Sequence, residues 1–272
     1  IKKIYFGEYF NKCIDNKLPP FLIELKFGDK FNQDINVLPR TIEILKFGYE
    51  FNKELKNLPF NLKHLTFGHC FNQSLNNILP DGLETLILKN NYDRKIRKFP
   101  PKLEEFVMSN RYNHSIDNLP LTVNKIVFGQ KFNYGIKSLP PDIVKIIFND
   151  RFNKIIGEYP ENLKSIEFGA NYNQSVDNFN NEIENIKFGH NFNKPITNLP
   201  FGIKSIEFGR SFSQPVDYLP EGIETLIFGK YFAHPLDNLP QSVNFIRLNR
   251  KYEKKNTIIN KKINVQYVND WF

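Results

Sequence analysis

The sequence predicts a β-rich solenoid, a leucine-rich-repeat-like right-handed coil with one curved parallel sheet and about thirteen 20-residue repeats. Three observations carry this. First, the pattern I-x-x-L-x-F-G-x-x-F-N-x-x-I-x-N-L-P returns along nearly the whole chain. Its strand-type column reads Phe6, Phe27, Phe47, Phe67, Leu88, Met108, Phe128, Phe148, Phe168, Phe188, Phe208, Phe228 and Leu248. Second, only two steps in that column are 21 residues instead of 20, and each extra residue falls before a Leu-Pro, near Lys17 and near Ile78, where a turn can absorb it. Third, each repeat alternates apolar and polar residues over a few positions and then meets Gly and Leu-Pro, which suits a short strand and leaves no room for an ordinary helix.

The third repeat shows each element in turn. Residues 44 to 48 alternate, so Leu45 and Phe47 point to one face of a short strand. Gly48 then permits a conformation or a close approach that a side chain would hinder. Phe51-Asn52 and Leu55 follow, and Asn57-Leu58-Pro59 ends the unit, the proline restricting the chain to extended or turn geometry. Polyproline-like or single-turn structure is expected on the back of each coil. The chain divides into a repeat array, residues 1–257, and a C-terminal cap, residues 258–272. In the cap, Ile263, Val265 and Tyr267 alternate as a last strand, and Trp271-Phe272 is placed to cover exposed rings.

Stacking turns each repeat position into a column. The second aromatic column, from Phe10 and Phe31 to Phe232 and Tyr252, is aromatic in all thirteen repeats and predicts a continuous ring stack. The aliphatic column from Ile14 to Leu236 ends at Asn256, where the array closes. The Asn column runs from Asn11 to Asn193 with Asp93 within it, and continues as Ser213, Ala233 and Glu253. It predicts a ladder of amides that satisfies buried turn backbone. Asn72, Asn113 and Asn173 also form glycosylation sequons, but their place beside core aromatics favours the structural role.

Composition narrows the class. Hydrophobic residues make up 40% of the chain, with 27 Phe and 12 Tyr, so the core is aromatic in kind. No apolar run approaches the ~20 residues of a membrane helix. No secretory leader is present, and Ile1 already occupies the first apolar position of a repeat, so further chain is expected before it. Cys13 and Cys70 lie three strand spacings apart, about 14 Å, too far for a disulfide. Free thiols place the chain in a reducing compartment, expected to be the cytoplasm. The net charge of +8 is concentrated toward the C-terminus, at Arg247, Arg250, Lys251, Lys254, Lys255, Lys261 and Lys262.

Phe31-Asn32, Phe192-Asn193-Lys194-Pro195-Ile196 and the recurrent Leu-Pro resemble the FNIP repeat family, known from social amoebae and giant DNA viruses and regarded as a relative of leucine-rich repeats. The resemblance covers roughly residues 1–250. It implies a leucine-rich-like coil and, because family members often carry an F-box or similar adaptor module upstream, a substrate-recruiting adaptor role. The turn must differ from the usual leucine-rich form, since Asn follows the strand Phe by five residues and not three.

Candidate sites follow from the outward strand positions. Ile87, Val107, Val127 and Ile147 occupy one outward column on four consecutive strands, flanked by Thr66 and Glu167, and make an apolar stripe on the concave sheet face. Strand propensity alone also favours β-branched residues there. The adjoining column, Thr85, Glu105, Lys125 and Lys145, supplies a polar rim. The repeat departs from its consensus in the same stretch, with Lys89, Ser109 and Asn149 in the Gly column and Leu88 and Met108 for Phe. Arg210, Lys230 and Arg250 form a basic row near the C-terminus, with Arg247 and Lys251 beside it, as candidate anion contacts for an acidic peptide, phosphate or nucleic acid; a solvated edge is the competing reading.

No catalytic constellation is found. His64, His69 and Cys70 share a repeat but lack the further ligands or base that a metal site or nucleophile needs. No cofactor or metal is expected. The expected function is a protein-interaction scaffold with a protein partner on the concave face, with no membrane and no nucleic acid as principal partner. The alternatives are a structural spacer, viral or cellular, and a weak nucleic-acid binder acting through the basic C-terminal end.

Overall fold

A computed structural model describes residues 1–14, 18–252 and 262–269. Each repeat supplies one strand, short because only a few alternating residues precede the glycine. These are β1 (Lys3–Tyr5), β2 (Glu24–Lys26), β3 (Ile44–Lys46), β4 (His64–Phe67), β5 (Thr85–Leu88), β6 (Glu105–Val107) and β7 (Lys125–Val127), then β9 (Lys145–Ile147), β11 (Ser165–Glu167), β12 (Asn185–Lys187), β13 (Ser205–Glu207), β14 (Thr225–Ile227) and β15 (Phe245–Asn249). β16 (Asn264–Val268) follows and pairs with β15; it is the described part of the predicted cap, whose Trp271 and Phe272 lie outside the described residues, as do Glu253 and Asn256 of the closing columns. All pairings are parallel and in register, and no helix occurs among the described residues.

The chain forms two units, Ile1–Phe132 and Asn133–Phe272. In the first, β1 to β7 make a seven-stranded sheet in sequence order; in the second, β9 and β11 to β16 make another.

The predicted core columns are buried. The mid-strand residues Leu25, Leu45 and Leu65 in the first unit, and Ile146, Ile206 and Leu226 in the second, are fully enclosed. Rings stack within a coil and from coil to coil. Phe47 lies 3.9 Å from Phe51 within one coil and 5.3 Å from Phe67 in the next, centroid to centroid. In the second unit Phe188 lies 3.8 Å from Phe192 and 5.7 Å from Phe208. Offset stacks of this kind add to area burial. Where Leu88 and Met108 replace the strand Phe, only the second column carries the stack, through Tyr92 and Tyr112 at 6.3 Å.

Those tyrosines bring polar atoms into the stack. The hydroxyls of Tyr92, Tyr112 and Tyr159 are buried with no hydrogen-bond partner. The Leu75 backbone lies near enough to Tyr92 to ease its ionisation but not to close a hydrogen bond. Burial raises the Tyr92 phenol well above its usual range and pushes Tyr112 and Tyr172 up to about 12.

The asparagine ladder is present. Each side-chain oxygen accepts the backbone N–H of the equivalent residue one coil on: Asn32 from Asn52 at 3.0 Å, Asn52 from Asn72 at 2.9 Å, Asn153 from Asn173 at 2.9 Å and Asn173 from Asn193 at 3.0 Å. It is not buried as expected. Asn52 and Asn193 are exposed and Asn153 half-buried, because the turn after the second ring carries the backbone out of the core within one residue. A second ladder, unforeseen, runs beside it. Gln73, Gln174 and Gln214 donate to the Asn oxygen one coil before at 2.9–3.1 Å, and His234 reaches the Ser213 carbonyl at 3.0 Å.

The back of the coil differs in one place from the expected turns. In the second unit β8 (Ile136–Ser138) and β10 (Ile156–Glu158) form a two-stranded parallel pair. In other coils the chain turns at this place, as at Asp117-Asn118 and Asp177-Asn178, where Ser115 and Ser175 accept the aspartate N–H. At Lys137-Ser138 and Gly157-Glu158 the backbone is extended and pairs. The 21-residue step near Ile78 is taken up in a turn with Asn77 at φ 65°, a conformation asparagine tolerates better than most residues. The other, near Lys17, lies outside the described residues.

Candidate interaction surface

Because the middle residue of each strand points inward, its two neighbours face solvent. On the first sheet Thr66, Ile87, Val107 and Val127 stand in register on β4 to β7. Ile87 and Val107 are half-buried, and Val127 is 43% exposed. The rim residues are tied together: Thr85 Oγ1 lies 3.0 Å from His64 Nδ1, and Lys125 Nζ lies 2.6 Å from Glu105. Three of the four predicted stripe residues are in register within the first unit. Ile147, 47% exposed, and Lys145 lie on β9 in the second unit, in register with Glu167 and Ser165.

Elsewhere on the outward surface several charged residues are paired. Glu24 lies 2.7 Å from Lys26 and 3.0 Å from Lys3, and those hydrogen bonds, Lys26 first, hold its carboxyl down to about 2. Lys26 also sits 4.4 Å over the exposed Tyr5 ring. On the second sheet Lys187 lies 3.3 Å from Glu207 and 3.6 Å from Glu167, and Lys204 lies 3.0 Å from Glu184.

The basic row is only partly gathered. Arg210 donates to the Tyr231 hydroxyl at 3.2 Å and lies 5.4 Å over its ring. Lys230 and Lys251 act on the same phenol, whose pKa is lowered, first by the Arg210 hydrogen bond. Arg250 is exposed, and its backbone N–H donates to the Val268 carbonyl at 2.9 Å. Arg247 does not join them: it lies on the strand face, bonded to Gln266 at 2.7 Å, since strand alternation turns its side chain to the sheet surface. Lys254, Lys255 and Lys261 lie outside the described residues.

His64 and His69 are occupied elsewhere, His64 by Thr85 and His69 by stacking on Tyr49 at 4.6 Å. Cys13 and Cys70 are free thiols. Among the described residues no group of three or more His, Cys, Asp or Glu could hold a metal ion, and no helix is long and apolar enough to cross a membrane.

Stacked 20-residue coils and an all-parallel strand ladder define a repeat solenoid of the leucine-rich-repeat type. The chain belongs to the FNIP repeat family: the FNIP Repeat model matches residues 14–50, 31–70, 51–91, 175–211 and 212–251, together more than half the chain. Among solved structures it is similar to CroV588, a giant-virus protein described as a novel circular LRR protein, at 33% identity and TM-score 0.79 over 90% of this chain. The match spans 39% of the CroV588 chain. A leucine-rich repeat protein from Bacteroides ovatus also matches, at 12% identity over 91% of this chain and 84% of its own, but its TM-score of 0.24 carries no argument. No curated protein matches significantly.

Proposed function

We propose that the chain is a non-enzymatic protein-interaction scaffold that receives a protein partner on the solvent face of its first sheet, across Ile87, Val107 and Val127. One observation supports this most. The outward column of the first sheet reads Tyr5, Lys26, Lys46 and Thr66 on β1 to β4, and β5 to β7 then present three apolar residues in succession, Ile87, Val107 and Val127, beside the Glu105–Lys125 pair. A contiguous exposed apolar row marks an interaction site better than scattered apolar residues do. The partner is a protein segment with an apolar ridge that fits a row about 10 Å long, the span of two strand spacings. Membership of the FNIP family supports a more specific role, recruitment of a substrate to an adaptor assembly. On the second unit, Ile147 and Lys145 are candidate contacts in their own right. A rigid spacer role is the alternative, and the regular ring stack favours it.

The test is affinity capture with Val107→Asp and Val127→Asp. Val127 is exposed and Val107 half-buried, so thermal melts accompany the capture, and the folded variants should lose a partner that the parent retains. Unchanged capture removes the row from consideration.

A further inference from the structure

Charge compensation changes between the strand face and the adjoining edge of the second unit. On the face, Lys187 and Lys204 each meet a glutamate within 3.3 Å. On the edge, Arg210 meets no carboxylate among the described residues; its partner is the hydroxyl of Tyr231, a residue 53% exposed. Arg210, Lys230 and Arg250 take the same position in successive coils, about 4.8 Å apart at strand spacing. Arg210 donates to the Tyr231 oxygen, which leaves the phenol hydrogen available to an acceptor.

The backbone of this edge accommodates carboxylates. Asp150 Oδ1 accepts the Ala170 N–H at 3.0 Å, one coil on, and in the first unit Asp29 does the same for Tyr49 at 3.1 Å. Further along, the column reads Ala170, His190, Arg210, so no carboxylate precedes His190 or Arg210. A groove of about 500 Å³ runs along this edge, lined by Asp150, Glu167, Lys187, His190, Glu207 and Arg210 over the backbone of Gly189 and Gly209. Asp150 caps the Ala170 N–H in the early coil; in later coils the same column carries His190 and Arg210.

We propose that the edge around Arg210, Lys230, Lys251 and Tyr231 binds the oxyanion of an acidic side chain, carboxylate or phosphate, on a short peptide segment of a protein partner. The occupant is short because Glu207 lines the same groove and Glu224 precedes β14, and a long polyanion such as nucleic acid would run against both. This surface is separate from the row on the first sheet, so either can fail without the other.

Fluorescence anisotropy at ~50 mM salt, where screening is weak, tests it with four labelled probes. These are an alanine-rich peptide carrying one phosphoserine, the same peptide with Glu-Glu, the neutral serine peptide, and an oligouridine. At least one acidic peptide should bind saturably and the neutral one should not; which acidic peptide binds identifies the oxyanion. Arg210→Gln should weaken binding about tenfold and Tyr231→Phe roughly threefold, while Lys102→Gln, an exposed cation of the first unit, should change nothing. Both Arg210 and Tyr231 are exposed, and thermal melts confirm that the variants fold. The proposal is overturned if neither acidic peptide saturates, if Lys102→Gln weakens binding as much as Arg210→Gln, or if oligouridine binds more tightly than both acidic peptides.

Discussion

A Cβ on Gly68 would stand 1.7 Å from the carbonyl oxygen of Gly48. The backbone of each coil rests directly on the one before at this column, and Gly189 repeats the arrangement over Gly169 at 1.9 Å. None of these glycines has a positive φ, so the requirement is for space and not for an unusual conformation. The glycine column sets how closely coils approach, and the rings stacked at 5.3–5.8 Å between coils depend on that approach.

Gly68→Ala should therefore cost about 1–3 kcal/mol, the scale of overpacking, read as a lower urea midpoint. Gly82→Ala is the control. The nearest atom to its Cβ is 3.9 Å away, and the change should stay within about 0.5 kcal/mol.

The ladder has a measurable weight. Asn153 accepts from the Asn173 N–H and from Gln174 Nε2, both at 2.9 Å, in a half-buried turn. Asn153→Ala should lose about 1–2 kcal/mol, near the net value of two such bonds. Asn153→Asp keeps the acceptor and should retain most of the stability at neutral pH. Equal losses in the two variants would remove the ladder as the cause.

The buried phenols predict loss of stability in alkali. Tyr112 and Tyr172 ionise near 12 in the fold, against 10.0 when unfolded, because burial disfavours the phenolate. A raised folded pKa favours the protonated form, so this contribution is intact below pH 10 and declines as pH rises toward 12. Urea midpoints between those values should fall. Tyr92→Phe removes an unpaired buried hydroxyl and should stabilise the chain by about 1 kcal/mol at pH 7.

Glu24 acts at the acid end. Lys26 and Lys3 hold its pKa at about 2, below the unfolded 4.5. Its contribution is complete above pH 4.5 and is lost as pH falls toward 2. The stability gap between the parent chain and Glu24→Gln should narrow across that interval. A constant gap would show that the Lys3–Glu24–Lys26 cluster adds nothing.

Much of this fold was legible in the sequence. The alternation at residues 44–48 yields β3 with Leu45 inward, and the second aromatic column is buried from Phe31 to Tyr252. The exposure of the asparagines was not legible. Asn52 follows a fully buried ring, and a turn has no periodicity to say which way the next residue points. The β8–β10 pair was not legible either, since Ser138 and Gly157 are themselves common turn residues. The strand period places Ile87, Val107 and Val127 in one column, and the first unit holds them in register on β5 to β7. Likewise the row of cations was visible, whereas the Tyr231 contact and the turning away of Arg247 toward Gln266 depend on neighbouring coils.

The most direct measurement of the central claim is quantitative affinity capture, parent chain against the Val107→Asp/Val127→Asp double variant, with thermal melts in parallel. The interaction-scaffold account predicts a specific protein partner enriched by the parent and lost from the variant while both chains melt alike. Recovery of the same partners in the same amounts by a folded variant would contradict it.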